Sequence, residues 1–205
     1  MYTFRYKSHH DASGELKKKY TSAESVLSYV ERMLNESAAS RRVIYLHVPF
    51  CNKICSFCPF HRPDELRRRD YHRYLIEEMH RICEYPYMRA PIDSVKYGGG
   101  TPTALLPEQM DAVLTELRTC FDIAPEAEIS VESSATELTA EMLEVLKKGG
   151  GNRLSIGIQT FDDEGRTLLG RRGSGEHAAH SVRRAIESGI ANTSIDLIYH
   201  YPGQT

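Results

Sequence analysis

The stretch Val43-Ile-Tyr-Leu-His-Val-Pro-Phe50, followed at once by Cys51-Asn-Lys-Ile-Cys55-Ser-Phe-Cys58, decides the fold of this 205-residue chain. Its first half is a short apolar run, which is typical of a buried strand. Its second half places three cysteines within eight residues, on the loop that leaves the carboxyl end of that strand. Because thiolates are soft metal ligands, the stretch predicts a metal site beside a strand end.

The number and spacing of these cysteines indicate which metal they bind. Structural zinc sites hold four closed ligands, usually as two separated pairs, whereas Cys51, Cys55 and Cys58 form one cluster without a partner pair. Three thiolates on a [4Fe–4S] cluster leave one iron open to another molecule. The alternatives are a partial zinc knuckle or ordinary buried thiols. Cys83 and Cys120 lie in apolar helical patterns, so we expect core thiols there rather than ligands.

From residue 41 onward, strand patterns and helix patterns alternate along the chain. The predicted strands are 43–50, 94–97, 128–132, 153–158 and 193–199, and the predicted helices are 71–84, 107–121, 140–148 and 176–188. Such repeats predict an α/β fold with a parallel sheet that is curved or closed as a barrel. In such a barrel the loops after the strands form the functional face, and the unusual motifs of this chain all lie at or after strands.

The ends of the chain suggest two boundaries. Residues 1–40 are predicted to be an N-terminal leader segment, in which Thr21-Ser-Ala-Glu24 caps an amphipathic helix, and 41–205 to be the core domain. The sequence stops just after the fifth predicted strand, and an exposed parallel edge is unfavourable. We therefore expect the core domain to be truncated after strand five and incomplete at its C-terminus.

Composition narrows the class of protein. The net charge of −2 gives no reason to expect nucleic acid or a membrane surface as a partner. The basic run at 67–69 is either a solvated loop or a site for substrate carboxylates. The sequence lacks a membrane-spanning run and the apolar core of a signal peptide, so we expect a cytoplasmic protein. Five cysteines in a reducing compartment favour metal binding over disulfides.

Five further segments complete an ordered set of motifs. They are Tyr45-Leu-His-Val-Pro-Phe-Cys51, Gly98-Gly-Gly-Thr-Pro-Thr103, Arg153-Leu-Ser-Ile-Gly-Ile-Gln-Thr-Phe161, Leu169-Gly-Arg171 and Ile195-Asp-Leu-Ile-Tyr-His-Tyr-Pro-Gly-Gln-Thr205. With the cysteine triplet they resemble the radical S-adenosylmethionine enzymes, and within these the oxygen-independent coproporphyrinogen III oxidase-like group. The resemblance implies a partial (β/α)6-type TIM barrel that binds a [4Fe–4S] cluster and S-adenosyl-L-methionine.

The resemblance also implies a set of cofactor contacts. These are Tyr45, Phe57, Gly98, Gly99, Gly100, Thr101, Glu132, Gln159, Arg171 and Asp196. The glycines let backbone groups approach the methionine ammonium, and Thr101 adds a hydroxyl. Glu132 can accept hydrogen bonds from ribose hydroxyls, and the planar fork of Arg171 suits a carboxylate.

Several of these residues also fit a purely structural role. Phe57 could serve loop packing, and Tyr45 could belong to the core. The glycines could form a tight turn, and Glu132 could be a surface carboxylate. His47 is either a hydrogen-bonded interior histidine or a functional one.

For activity, the resemblance implies reductive cleavage of S-adenosylmethionine to act on a tetrapyrrole or a related substrate, with a flavodoxin- or ferredoxin-type electron donor. The oxidases carry a fourth cysteine two residues after the third, where this chain has Phe60. This departure favours relatives that lack it, namely haem-degrading methyltransferases and haem chaperones. The alternative function is therefore a chaperone that binds and delivers haem without transforming it. A weaker alternative is an unrelated iron–sulfur or zinc protein.

Overall fold

The computed structural model describes residues 23–37, 41–59 and 68–204, and these residues form one five-stranded parallel sheet in the order β1-β2-β3-β4-β5. The strands are β1 (Val43–Val48), β2 (Ile92–Gly99), β3 (Ile123–Ser134), β4 (Arg153–Gln159) and β5 (Asn192–Leu197). Each strand pairs with the next one along the chain. All carboxyl ends therefore lie at the same edge of the sheet, as the sequence predicts.

One helix precedes β1, and the other helices lie between the strands along the chain. The helices are α1 (Ala23–Asn35), α2 (Tyr71–Ile82), α3 (Pro107–Cys120), α4 (Ala140–Lys148), α5 (Asp163–Leu168) and α6 (Gly175–Glu187), with 3₁₀ turns at Pro86–Arg89 and Pro102–Ala104. The Thr139 hydroxyl accepts from the Met142 amide and caps α4, which has the bounds predicted for it. The short helix α5 is absent from the sequence prediction. It begins where the Asp162 carboxylate accepts from the Gly165 amide at 2.6 Å.

One face of the sheet is buried beneath the helices. Val95, Tyr97, Val131 and Ile156 on this face have no exposed surface. The side chains of α3 that pack over the face are Met110, Val113, Leu114 and Leu117. Because side chains alternate along a strand, the residues between these buried ones point to the other face. That face carries polar groups and is the one that a barrel turns inward.

Several strand boundaries differ from the sequence prediction. β2 spans Ile92–Gly99 rather than 94–97, and β5 ends at Leu197 rather than at residue 199. β1 ends at Val48 rather than at residue 50, before Pro49, which has no amide hydrogen for a ladder bond. β3 begins at Ile123, five residues before the predicted start at 128. Its first part contains Pro125 and polar residues, which weaken the strand pattern, and its pairing with β2 shifts register there.

The N-terminal helix is confirmed over Ala23–Asn35 and contacts the 3₁₀ turn at Pro86–Arg89. Thr21 of the predicted capping box lies outside the described residues, as do Phe60 and Arg67. The division of the chain at residue 40 stays a prediction. No helix among the described residues is long and apolar enough to cross a membrane.

Candidate active site

A cleft at the carboxyl edge of the sheet collects most of the predicted site residues. Those that line it are Cys51, Cys55, Phe57, Cys58, Gly100, Thr101, Glu132, Gln159, Arg171 and Asp196. The three cysteines are half-buried there, while Phe57 is exposed. Tyr45, Gly98 and Gly99 lie on the adjoining strands β1 and β2. Residues from six separate loops and strands thus share one cleft.

The segment after β2 packs against the start of the cysteine loop. The Gly100 amide donates to the carbonyl of Val48 at 2.8 Å, and the Thr101 amide donates to that of Phe50 at 2.7 Å. A Cβ on Gly100 would lie 2.5 Å from the Phe50 oxygen and 2.9 Å from the Cys51 sulfur. The Thr101 hydroxyl lies 3.4 Å from the same sulfur. Gly100 therefore has a packing role of its own, since any side chain would displace the first cysteine.

The two preceding glycines face β1. Gly99 has a φ of +116°, and a Cβ there would lie 2.8 Å from the His47 ring. At Gly98 the added atom would contact the Tyr45 ring and Glu132. Tyr45 is 54% exposed, and its hydroxyl lies 3.0 Å from the His47 ring nitrogen. Tyr45 and His47 thus lie on the polar face, so neither belongs to the apolar core.

The loop before α6 contacts the other side of the cysteine loop. The Ser56 amide donates to the Leu169 carbonyl at 3.1 Å. Arg171 donates from its guanidinium to the Cys55 sulfur at 2.9 Å and to the carbonyl of Gly157. A fixed positive charge beside a sulfur suits an anionic thiolate ligand.

Arg166, on α5, is a site residue that sequence analysis missed. It is 2% exposed. Its guanidinium donates to four backbone carbonyls, those of Ile158, Thr160, Arg172 and Gly173. Burial lowers the pKa of this guanidinium, and the like charge of Arg171 lowers it further. Because Arg166 donates to these carbonyls, it fixes the turn that holds Arg171. The sequence alone does not indicate this role, since an arginine in a short helix is usually exposed.

An ion pair crosses the polar face between β2 and β3. The Lys96 ammonium lies 2.8 Å from Oε1 of Glu132. The hydrogen bond and the charge of Glu132 together raise the pKa of Lys96. Both side chains are partly exposed, so the pair orients Glu132 more than it stabilises the fold. One carboxylate oxygen of Glu132 is thereby occupied.

Gln159 and Asp196 lie at the ends of β4 and β5. Gln159 has a φ of +71°, which is unusual for a residue with a side chain and marks local backbone strain. The Ile198 amide donates to its carbonyl at 2.9 Å. The Ser155 hydroxyl lies 3.3 and 3.4 Å from the two carboxylate oxygens of Asp196. The turn at Gln159 thus ends β4 beside the cleft that Gln159 and Asp196 line.

Glu137 is a second site residue that sequence analysis missed. Its carboxylate accepts from the Asn52 amide at 2.9 Å and from the Thr136 hydroxyl at 2.6 Å, and also from Ser134. It therefore joins the loop after β3 to the cysteine loop. Its position just after a predicted strand is the feature of the sequence that indicates a site residue, because the loops after the strands form the functional face.

The donor set of the cleft fits a cluster with one open iron. Three half-buried thiols project from one loop, and the Cys58 amide donates to the Cys55 carbonyl at 3.2 Å in a turn between them. Hydroxyl, amide and carboxylate groups surround the thiols on the remaining sides of the cleft. These are groups that hydrogen-bond an amino acid and a ribose.

A family model described as the Radical SAM superfamily matches residues 45–205. The chain belongs to the radical SAM superfamily. Enzymes of this superfamily use a [4Fe–4S] cluster and S-adenosylmethionine, so the cofactor prediction is confirmed for this chain as a member.

Curated relatives narrow the branch within the radical SAM superfamily. The chain is 37% identical over 180 residues to an oxygen-independent coproporphyrinogen III oxidase of Bradyrhizobium diazoefficiens, covering 85% of this chain and 40% of that protein. It is also 37% identical over 168 residues to the heme chaperone HemW of Bacillus subtilis, covering 78% and 43%. The chain thus spans about 40% of the length of these relatives.

A solved structure supports the same assignment. Coproporphyrinogen III oxidase (HemN) from Escherichia coli aligns with a TM-score of 0.75 at 31% identity, covering 90% of this chain and 42% of that one. The prediction of a radical SAM α/β fold is therefore confirmed.

Proposed function

We propose that this chain is the core of a radical SAM enzyme that cleaves S-adenosylmethionine reductively to act on a tetrapyrrole or a related substrate. The observation that carries the proposal is the shared cleft, in which three cysteines lie beside the glycine segment and Arg171. When bound, the cluster supplies the electron that breaks the sulfonium bond. The protein's part is to bind, orient and shield the reactants.

Each part of the cleft has a proposed role. Cys51, Cys55 and Cys58 hold the cluster, and Arg171 stabilises the negative charge on the Cys55 sulfur at 2.9 Å. Thr101 lies beside the Cys51 sulfur, where its hydroxyl can reach the methionine part of the cofactor. Residues proposed to contact the cofactor besides these are Tyr45, Phe57, Gly98, Gly99, Gly100, Gln159 and Asp196.

Glu132 is proposed to bind the ribose. Lys96 occupies Oε1, which leaves Oε2 to accept a hydrogen bond from a hydroxyl. Because the ammonium fixes the carboxylate before the cofactor arrives, little side-chain entropy remains to be lost on binding.

The substrate class rests on the relatives. The oxidase from Bradyrhizobium diazoefficiens and the E. coli oxidase are named for coproporphyrinogen III, a tetrapyrrole. The reaction proposed here is either oxidase-like or resembles haem-degrading methyl transfer, since Phe60 stands where the oxidases carry a cysteine. A flavodoxin- or ferredoxin-type protein is the proposed electron donor. A reducing compartment such as the cytoplasm suits this chemistry.

A haem chaperone is the second candidate. The observation that favours it is the Bacillus subtilis chaperone, whose identity to this chain equals that of the oxidase at 37%. Such a protein would keep the cluster and bind haem without transforming it.

One experiment separates the two candidates. The protein is reconstituted anaerobically, and 5′-deoxyadenosine is measured with dithionite in the presence and absence of coproporphyrinogen III or haem. Tetrapyrrole-dependent formation of 5′-deoxyadenosine and a modified tetrapyrrole support the enzyme. Stoichiometric haem binding that leaves both haem and S-adenosylmethionine intact would overturn the enzyme in favour of the chaperone.

A further inference from the structure

Four potential metal ligands lie near the C-terminal ends of α2 and α3. His80 lies in the last turn of α2 and Cys83 directly follows that helix, while Glu116 and Cys120 lie in the last turn of α3. The pairs are spaced three and four residues apart, which places both members of each pair on one side of a helix. The two helices pack against each other.

The ligand atoms lie close together. Nε2 of His80 is 2.8 Å from Oε2 of Glu116, and these atoms and the Cys120 sulfur all lie within 4.8 Å of one another. The Cys83 thiol lies beside that of Cys120 and donates to the backbone carbonyl of His80 at 3.5 Å. Burial, followed by the effect of Cys83, raises the pKa of Cys120 to about 11. The cluster therefore brings one imidazole, one carboxylate and one sulfur together, with the Cys83 sulfur as a neighbour.

This group is far from the cleft in the topology of the fold. Both helices follow strands of a parallel sheet and run back toward the amino ends of the strands. The cysteine triplet lies at the carboxyl ends, at the opposite edge. Because helix C-termini carry partial negative charge, the two helix ends also favour a cation at this position.

We propose that His80, Cys83, Glu116 and Cys120 bind a single thiophilic divalent cation of the zinc type, separate from the iron–sulfur cluster. Zinc takes four ligands of this kind in a tetrahedral arrangement, with bond lengths of about 2.0 to 2.3 Å. Ligand atoms on one zinc ion are then roughly 3.3 to 3.8 Å apart, which is close to the present separations among His80, Glu116 and Cys120. The Cys83 thiol has to leave the His80 carbonyl to complete the set. Binding releases the two thiol protons to solvent and joins the ends of α2 and α3.

The accessibility of the group suits metal entry. The His80 side chain is 56% exposed and that of Glu116 is 31% exposed, while the two cysteines are half-buried against the core. An ion can therefore reach the exposed imidazole and carboxylate from solvent, and the sulfurs bind it on the side that faces the core.

The test is zinc binding to the anaerobically reconstituted protein, measured by competition with a chromophoric chelator, with iron and zinc counted by mass spectrometry. We expect one zinc ion per chain at unchanged iron content. His80→Ala and Cys120→Ser should each weaken zinc binding by more than the roughly 10–100-fold that the loss of a supporting hydrogen bond costs a metal site. His80 is exposed, so its variant is expected to fold even where Cys120→Ser does not.

The chain offers a matched control. His180 forms a comparable pair with Glu176 on α6, at 3.8 Å, so His180→Ala should leave zinc binding unchanged. Zinc binding that survives His80→Ala, or that is lost in Cys55→Ala, would overturn the proposal, because the ion would then bind elsewhere. A Cys83–Cys120 disulfide in the anaerobic protein would overturn it as well.

Discussion

The Arg171 guanidinium contacts the Cys55 sulfur at 2.9 Å, although 116 positions separate the two residues in the sequence. The contact joins the loop before α6, which follows β4, to the loop after β1, three strands away in the sheet order. Together with the packing of Gly100 on the first cysteine, it makes the cysteine loop a folded part of the cleft rather than a free tether. The position of the three thiols therefore depends on the assembled sheet.

The first prediction concerns the cysteines. Substituting Ala for Cys51, Cys55 or Cys58 should abolish the cluster, because the loss of one of its three protein ligands leaves it under-coordinated. Cys83→Ala and Cys120→Ala should retain it, since these residues pack against the core at the opposite edge of the sheet. Iron and sulfide analysis of the five variants is the measurement. A full cluster in Cys55→Ala would contradict the ligand assignment.

The second prediction concerns ribose binding. Glu132→Gln should weaken S-adenosylmethionine binding by about 1–3 kcal/mol, because the amide loses both the charge-assisted hydrogen bond and the orientation imposed by Lys96. Calorimetry on reconstituted protein measures the affinity, while the cluster spectrum should not change. Glu128→Gln is the matched control, since Glu128 lies on the same strand and pairs with Arg153 at 3.4 Å. Equal affinities in the two variants would make Glu132 a packing residue.

The third prediction concerns the buried arginine. Arg166→Met should lower the free energy of unfolding by about 3 kcal/mol or more, because it leaves buried carbonyls without donors. Arg172→Met, an exposed substitution in the same turn, should cost less than about 0.5 kcal/mol. Urea unfolding of the apo protein compares them. Similar stabilities would show that water replaces the guanidinium at no cost.

The fourth prediction concerns alkaline pH. The Tyr97 hydroxyl is buried without a hydrogen-bond partner among the described residues, and burial raises its pKa. Burial disfavours the ionised Tyr97 side chain in the folded protein but not in the unfolded chain. The free energy of unfolding is therefore unaffected by this ionisation below the ordinary tyrosine pKa of about 10 and falls as pH rises above it. Tyr97→Phe should therefore unfold less readily than the wild type above about pH 10. At pH 7 the variant should be about 1 kcal/mol more stable, since it removes an unpaired polar group.

Urea unfolding at the two pH values tests this prediction. Tyr74→Phe, at a position that is 63% exposed, is the control and should change neither value. A loss of stability in Tyr97→Phe at pH 7 would indicate that the hydroxyl has a partner in solution.

Local patterns in the sequence were sufficient to predict the alternation of strands and helices. The bounds of α4 were predicted to the residue, because an N-cap threonine and a glycine run frame an amphipathic stretch. The start of β3 does not follow from the sequence pattern because residues 123–127 pair with β2 only at Ile123, before a register shift, and this pairing is a tertiary contact. Helix α5 has six residues, too few to show a helical period.

The site could be predicted only where a motif marks it. The three cysteines form one short motif in the sequence and the glycine segment forms another. The two motifs are neighbours in the fold. Arg166 and Glu137 act through hydrogen bonds to loops that are adjacent only once the sheet has formed. The Lys96–Glu132 pair likewise requires the register of β2 against β3. The roles of the individual residues toward S-adenosylmethionine stay predictions.

The most direct test of the proposed activity is the formation of 5′-deoxyadenosine by the anaerobically reconstituted protein with dithionite and S-adenosylmethionine, compared with Cys55→Ala. We expect 5′-deoxyadenosine in proportion to cluster content, further increased by a tetrapyrrole substrate, and none in the variant. A protein with a full cluster that forms no 5′-deoxyadenosine under any of these conditions, or equal amounts from wild type and variant, would contradict the proposed activity.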